Sequence, residues 1–276
     1  MHNSDLRVAL GFVALGLVIL ACSCPTDLFQ VGWGQDKAES ESWQEAVDEI
    51  KLLTRNQTIP KHLIDPEQPV VGEVFDPNLL LEPLDHLHLR SGYTLDFFYQ
   101  YDGIWGQPFL YAREEGDAEP SGTYEDYQAA LERCQDSGDT GGCDYLDFIE
   151  GDGTEESYFQ WVVLQMMGDQ FYLYWHSGYH DAEIVASQAR LEELVESLDS
   201  TNFGEPLSGT QKRLALRVDP APQVTIRDDE VIIRIVWFTK WGGFYERTIV
   251  LTPTAPYQVI DIQDEELVPY DCGIMF

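Results

Sequence analysis

From Tyr93 onward the chain alternates with a period of two. In "YTLDFFYQYD" one face carries Tyr93, Leu95, Phe97, Tyr99 and Tyr101, and the other carries Thr94, Asp96, Phe98, Gln100 and Asp102. "GIWGQ" turns the chain and "PFLYAR" returns, which predicts a β-hairpin. "YLDFI" at 145–149 reads as a short strand. "SYFQWVVLQMM" is apolar on both faces, and the pattern predicts a central buried strand. Gly168-Asp169 then turns the chain into "QFYLYWH", a strand with Tyr172, Tyr174 and His176 on one face and Phe171, Leu173 and Trp175 on the other.

Other stretches carry the helical period. "SWQEAVDEIKLL" places Trp43, Val47 and Ile50 on one stripe, and Ser42 with Glu45 has the form of a capping box. Asp76-Pro77 is an N-cap and first-turn pair for a short helix through Leu79–Leu81. "HLHL" at 86–89 fits a helical turn or a strand equally. "TYEDYQAALERC" is a helix capped by Thr123, and "SQARLEELVESL" is one that buries Leu191, Leu194, Val195 and Leu198.

After a break at "DSTNFGEPLSG" nearly everything reads as strand: "KRLALRV", "QVTIR", "EVIIRIVWFTKW", "FYERTIVLTP", "YQVIDIQ" and "ELVPY". Asp228-Asp229 and Gly242-Gly243 mark hairpin turns. The expected fold is α+β: an antiparallel sheet with two to three amphipathic helices, followed by a β-rich antiparallel meander. The expected organisation is an α+β domain over 41–204 and a β-rich subdomain over 205–276.

The first residues point to export. Val8–Ala21 is a run of fourteen residues without charge, the length of a signal-peptide core and short of the roughly 20 that span a bilayer. It ends in Ile19-Leu20-Ala21-Cys22, which resembles the lipobox of bacterial lipoproteins. The resemblance implies a cut before Cys22, a diacylglycerol on its sulfur and a domain anchored in the cell envelope outside the membrane. Residues 1–21 would then be the signal and 22–40 a tether. Ala21 and Ser23 also form a small-x-small site, where cleavage after Ser23 would release a soluble protein; an uncut leader would remain as an anchor. All three export the bulk of the chain.

Composition narrows the partners. Aspartate and glutamate number 49 against 16 lysines and arginines, a net charge of −33. Such a surface repels polyphosphates and anionic head groups, which excludes nucleic acid and leaves membrane attachment to a lipid. Between Glu114 and Glu156 there are fifteen acids and one base, Arg133. The acidity is read as solubility in a salty or cation-rich medium.

Of the five cysteines, Cys134 and Cys143 bracket the flexible "QDSGDTGG" and are expected to form a disulfide, permitted by export. Cys272 is expected as a buried free thiol, and Cys24 lies in the tether.

Candidate chemistry is sparse. Tyr172, Tyr174 and His176, with Asp96 and Trp105 of the hairpin, are the candidate ligand-binding residues, because phenols beside an imidazole make a stacking platform. The same pattern also serves an aromatic core with satisfied hydroxyls. His86 and His88 sit at i, i+2, which on a strand aims both side chains the same way; His176 and His180 have the i, i+4 spacing that chelates a metal on a helix, but Gly178 lies between them, the preceding run reads as strand, and "HSGYHD" is not H-E-x-x-H. No cofactor is expected; Asp136, Asp139 and Asp144 are weak calcium candidates in an acid-rich glycine loop. There is no G-x-S-x-G elbow, Walker loop or G-x-G-x-x-G after a strand.

The pattern favours a non-catalytic module that binds a small molecule, a glycan or a protein. An extracytoplasmic hydrolase using Asp96 or Asp102 with His176, and an assembly lipoprotein, are the alternatives.

Overall fold

The apolar run expected as a central strand is a helix, and the rest of the protein is built around it. The computed structural model describes residues 35–65, 67–116, 144–199, 205–270 and 272–273, with side chains from residue 42 onward. Helix α1 spans Gln35–Arg55, the one-turn α2 spans Lys61–Ile64, and α3 spans Glu155–Met167. Thr154 caps α3 by accepting from the Ser157 N–H at 3.2 Å, and Glu155 and Glu156 occupy its first turn, where the helix dipole favours negative charge. Ten of its residues are buried, so it has no polar face. A run that is apolar all round carries no period. Length separates helix from strand in such a run, and this one exceeds the roughly 4–8 residues of a strand.

Helix α1 lies against α3, with Trp43 stacked on Phe159 at a centroid distance of 4.9 Å and Val47 and Ile50 fully buried. It begins at Gln35, inside the stretch expected as a tether, so Ser42 and Glu45 lie within the helix and form no cap. The turn at Pro77–Leu81 is 3₁₀, capped by Asp76 as expected. "HLHL" resolves as strand β1, Leu87–Leu89, paired with β4, Ile149–Gly151. "YLDFI" is mostly a 3₁₀ turn over Tyr145–Phe148, because the Asp144 side chain accepts from the Leu146 N–H and winds the chain.

The hairpin is present as predicted: β2, Tyr93–Tyr101, pairs antiparallel with β3, Trp105–Glu114, in register from Tyr93↔Glu114 to Tyr101↔Gly106. Asp102 closes the turn by accepting from the N–H groups of Ile104 and Trp105 at 3.0 and 2.8 Å. The Tyr99 hydroxyl lies where any side chain on Gly106 would begin, which is why this strand position is glycine.

"QFYLYWH" is not a strand. Only Tyr174–Trp175 pair with β3, as β5, and His176–Tyr179 is a 3₁₀ turn. Tyr172 and Trp175 sit at φ 53° and 38°, and two left-handed residues so close together destroy the alternation of faces.

The third sheet contains β6, Glu183–Val185, with β7, Gln223–Ile226, β8, Val231–Thr239, β9, Gly243–Leu251, and β10, Val259–Pro269. All its pairings are antiparallel. Strand β8 is shared on one edge: β7 pairs with its first half and β6 with its last residues. "YQVIDIQ" and "ELVPY" belong to the one long β10. "KRLALRV" is no strand; it lies in helix α5, Gly209–Ala215, and the residues after it. Ser208 and Gln211 close a capping box there and bind each other's backbone. Helix α4, Gln188–Ser197, is capped by Ser187 and buries Leu191, Leu194 and Val195, as its stripe predicts.

The fold is therefore α+β with antiparallel sheets and a β-rich C-terminal region. One core joins α1, α3, the hairpin and one face of the large sheet; a second lies under α4 and α5, against Val236, Phe238 and Phe244. Among the described residues no helix is long and apolar enough to cross a membrane. The leader, Cys22, Cys24, the helix expected over 123–134, the pair Cys134 and Cys143, and Asp136 and Asp139 lie outside the described residues.

Candidate ligand-binding cleft

Arg55, the last residue of α1, fastens the floor of a cleft. Its guanidinium donates to Gln170 Oε1 at 3.0 and 3.3 Å, to the carbonyls of Asp181 and Ala182 at 3.0 and 3.2 Å, and to Glu183 Oε2 at 3.1 Å. Gln170 returns its amide to the carbonyls of Met166 and Ala182. The chain from 170 to 183 is thus pinned to the ends of α1 and α3. Asp181 ties the opposite wall: it accepts from Thr239 Oγ1 at 2.5 Å and from the Lys240 N–H at 3.2 Å, where β8 turns into β9. A side chain at Gly243, which sits at φ 109°, would run into the backbone of Val268–Tyr270, so this turn requires glycine.

Between these walls lies a cleft of about 680 Å³, the size that holds one small ligand. Leu194, Leu198, Phe238, Tyr270 and Cys272 give it an apolar side, while His180, Asp181 and Lys240 supply polar groups. Cys272 is buried and free, as expected.

His180 Nε2 lies 2.7 Å from Asp169 Oδ1. That hydrogen bond holds the imidazole's pKa above its ordinary value, against the opposing effect of burial. The folded-state pKa lies above the unfolded one. The pair's contribution to stability is therefore complete below the unfolded value of about 6.5 and is lost as pH rises through the folded value. Asp169→Asn is expected to lower the His180 pKa toward 6.5, read by ring proton shifts in NMR. It should also cost more thermal stability at pH 6 than at pH 9. An unchanged titration would show that Asp169 does not act on His180.

A ladder of rings leads along the surface to this cleft. Trp175 stacks on His176 at 5.0 Å and 13°; His176 Nδ1 lies 3.0 Å from the Tyr179 hydroxyl; Tyr179 meets Trp241 edge to face at 4.4 Å. Lys240 Nζ sits 5.5 Å from the Trp241 ring centre. Trp175 is 68% exposed although its backbone is held at a left-handed φ that bulky residues avoid.

The structure divides the five residues expected to bind ligand. Tyr174 and His176 lie at the start of the ladder, with Trp105 opposite Trp175 in the β3–β5 register. Tyr172 is among the residues lining the cleft and is largely buried: its hydroxyl accepts from the Phe75 N–H at 2.9 Å, and its carbonyl accepts from the Tyr99 hydroxyl at 2.8 Å. Asp96 is bound by Arg113 Nε at 3.0 Å and by the Phe97 N–H at 2.8 Å. Neither Asp96 nor Asp102 bonds to His176. A single platform of Tyr172, Tyr174 and His176 does not form, because the positive φ at Tyr172 and Trp175 turns the chain.

The sequence pattern puts Trp175 on the face opposite Tyr174 and His176 and gives Trp241 no role; the "TKWGG" turn, a tryptophan beside the glycines of a hairpin tip, is the signal for the second. Of the calcium candidates, Asp144 serves as the cap of the 145–148 turn. Among the described residues no group of three or more His, Cys, Asp or Glu is placed to hold a metal ion.

Comparison of the chain with family models, with curated proteins and with solved structures gives no match. The site itself is therefore the only guide to function.

Proposed function

We propose that this protein is a non-catalytic binding module that takes a ring-shaped, hydroxyl-bearing ligand, a sugar, on the Trp175–Trp241 ledge and in the cleft behind it. The ledge carries this reading. An exposed indole on a strained backbone, continued by stacked and edge-on rings into a cleft, is costly to maintain unless it is used. Sugar rings present C–H faces to aromatic planes and hydroxyls to groups such as His180, Asp181 and Lys240. The module is presented outside the membrane from a lipid on Cys22, a reading supported by Ile19-Leu20-Ala21-Cys22 and by a net charge that leaves the polypeptide unsuited to binding anionic lipid.

Two measurements test it. Tryptophan fluorescence is titrated with neutral di- and trisaccharides; saturable change is expected, weakened at least about fivefold in Trp175→Ala, as loss of about 1–3 kcal/mol of stacking requires. The unfolding midpoint of that variant should not move, because the ring is exposed. No saturable response to any sugar would remove the ligand assignment. The intact mass of membrane-extracted protein should begin at Cys22 with a diacylglyceryl addition, absent in Cys22→Ala; a free N-terminus at Cys24 would remove the anchor.

A further inference from the structure

A second surface, separate from the cleft, lies along the open edge of β2. In the order β2-β3-β5 this strand has a neighbour on one side only. Its odd-numbered residues turn their backbone groups outward, since Asp102 and Gly92 bond across to Trp105 and Glu115 and the pattern alternates from there. At Leu95 the outward groups are taken by a side chain: Asn78 Nδ2 donates to the Leu95 carbonyl at 3.0 Å, and Asn78 Oδ1 accepts from its N–H at 2.9 Å. Asn78 thus imitates one residue of a neighbouring strand. At Phe97 the N–H is taken by Asp96. Beyond it the Phe97 carbonyl and the outward groups of Tyr99 and Tyr101 have no backbone partner among the described residues.

This unpaired edge faces a groove of about 1050 Å³, lined by Leu63, Val70, Val74 and Phe75 on one side and by Phe97, Tyr99 and Tyr101 on the other. Val70 and its neighbour Val71 are 72% and 74% exposed. Open strand edges beside apolar surface are usually blunted by charge, bulges or cover. Among the described residues the first half of the edge is covered by Asn78 and Asp96, and the one-turn α2 packs against the strand without bonding to the outward groups of Tyr99 and Tyr101.

We propose that this groove binds an extended segment of a partner protein, which adds as a strand to β2 over Phe97–Tyr101 and alternates apolar with basic residues. Each feature of the partner answers a feature of the groove. Unpaired N–H and C=O groups on alternate residues require an extended backbone. The apolar walls take every second side chain. The basic residues follow from charge: Asp76 lines the groove, and Asp96 lies there paired with Arg113, in a chain of net charge −33. A second copy of the chain brings the same negative charge to the contact and is disfavoured on that ground.

The test uses the full chain and a displayed library of random nine-residue peptides. Enriched peptides are expected to alternate apolar residues with Lys or Arg. They should bind less tightly as salt is raised and lose at least about tenfold in affinity when alternate amides are N-methylated, since more than one backbone hydrogen bond is removed.

Tyr101→Pro deletes one outward N–H without touching the β2–β3 ladder, together with a ring of the groove wall that meets Tyr174 edge to face at 5.2 Å, and should weaken binding by at least about threefold. Val70→Lys with Val74→Lys changes only the rim, so folding is preserved, and like charge should weaken binding at least as much. Sugar binding at the Trp175 ledge should be unaffected by Val70→Lys with Val74→Lys, which keeps the two sites distinguishable. The proposal is overturned by a library that yields no enrichment, by enriched peptides that are acidic or patternless, or by binding indifferent to both variants. It is equally overturned by a dimer in sedimentation that Tyr101→Pro dissociates, since a second copy would then occupy the edge.

Discussion

Glu183→Ala is expected to destabilise the protein by about 3 kcal/mol, because it removes a buried carboxylate from three partly buried cations. The Glu183 side chain is 5% exposed and meets Lys51 at 2.7 Å, Arg55 at 3.1 Å and Arg190 at 2.6 Å. Burial by itself would raise the Glu183 pKa; Lys51, Arg190 and Arg55 outweigh it and hold the carboxyl below its ordinary range. Lys51 shows the other side of the balance. Burial, together with Arg190 and Arg55, pushes its ammonium pKa down despite the contact with Glu183. Three cations therefore share one carboxylate, and removing it leaves Lys51 partly desolvated without its partner, Arg55 held only by Gln170 and the 181–182 carbonyls, and Arg190 only by Glu193.

The sign of the pH dependence follows from the same balance. A depressed carboxyl pKa gives stability that is present above the unfolded value of about 4.3 and lost as pH falls through the folded one. Urea unfolding at pH 7 measures the loss. Glu183→Gln, which keeps the shape and some hydrogen bonding, should fall between alanine and wild type. A Glu183→Ala loss under about 1 kcal/mol would mean that the cations relax into water, as exposed pairs do. The consequence reaches the cleft, since Arg55 uses Glu183 as one of the anchors that hold 181–183 in place. Sugar binding should weaken in Glu183→Ala even at temperatures where the variant stays folded.

The elements that sequence reasoning located are those with one wet face. The hairpin, α4 and the strands β8 and β9 each show a period because water lies on one side of at least part of their length, while β10 is wet on both faces over Val259–Glu266 and is located by its β-rich composition. Helix α3 has no such side, and its period vanishes with its polar face. Its remaining signals were local: Thr154 ahead of two glutamates, and a length beyond that of a usual strand. Helix α5 shows a different failure. The sequence "KRLALRV" alternates well enough to suggest a strand, but Ser208 and Gln211 close a capping box on its first turn, and the backbone follows the cap.

The candidate site was legible in its residue types and not in its geometry. A cluster of tyrosine, tryptophan and histidine over 171–176 marked the neighbourhood. The left-handed backbone at Tyr172 is set from outside the segment, by the Phe75 N–H and the Tyr99 hydroxyl that hold it. No local pattern announces a conformation imposed by residues so distant in the chain. The partnership of Trp175 with Trp241 through Tyr179 is likewise tertiary, formed where the 176–179 turn meets the tip of the β8–β9 hairpin.

Phe159→Ala is the second large effect, about 3–5 kcal/mol, and it tests the element that the sequence pattern misassigned. Phe159 is fully buried on α3 and stacks on Trp43 of α1 at 4.9 Å and 19°. Truncation removes the transfer free energy of a phenyl ring and leaves a cavity between two helices that are anchored elsewhere. Arg55 ties α1 to Gln170 just beyond α3, so the helices cannot close the gap by sliding together. The cost should therefore lie toward the upper part of the usual range for such truncations.

Trp43→Ala and the double variant complete a cycle in which the stacked pair should contribute about 0.5–1.5 kcal/mol of coupling beyond the separate burials. Additive losses would mean that the two rings are buried independently and that α1 does not depend on α3 for its position. Strong coupling would make the α1–α3 contact the unit that fixes Arg55. The cleft's floor would then rest on the same buried helix whose apolar sequence carries no helical period.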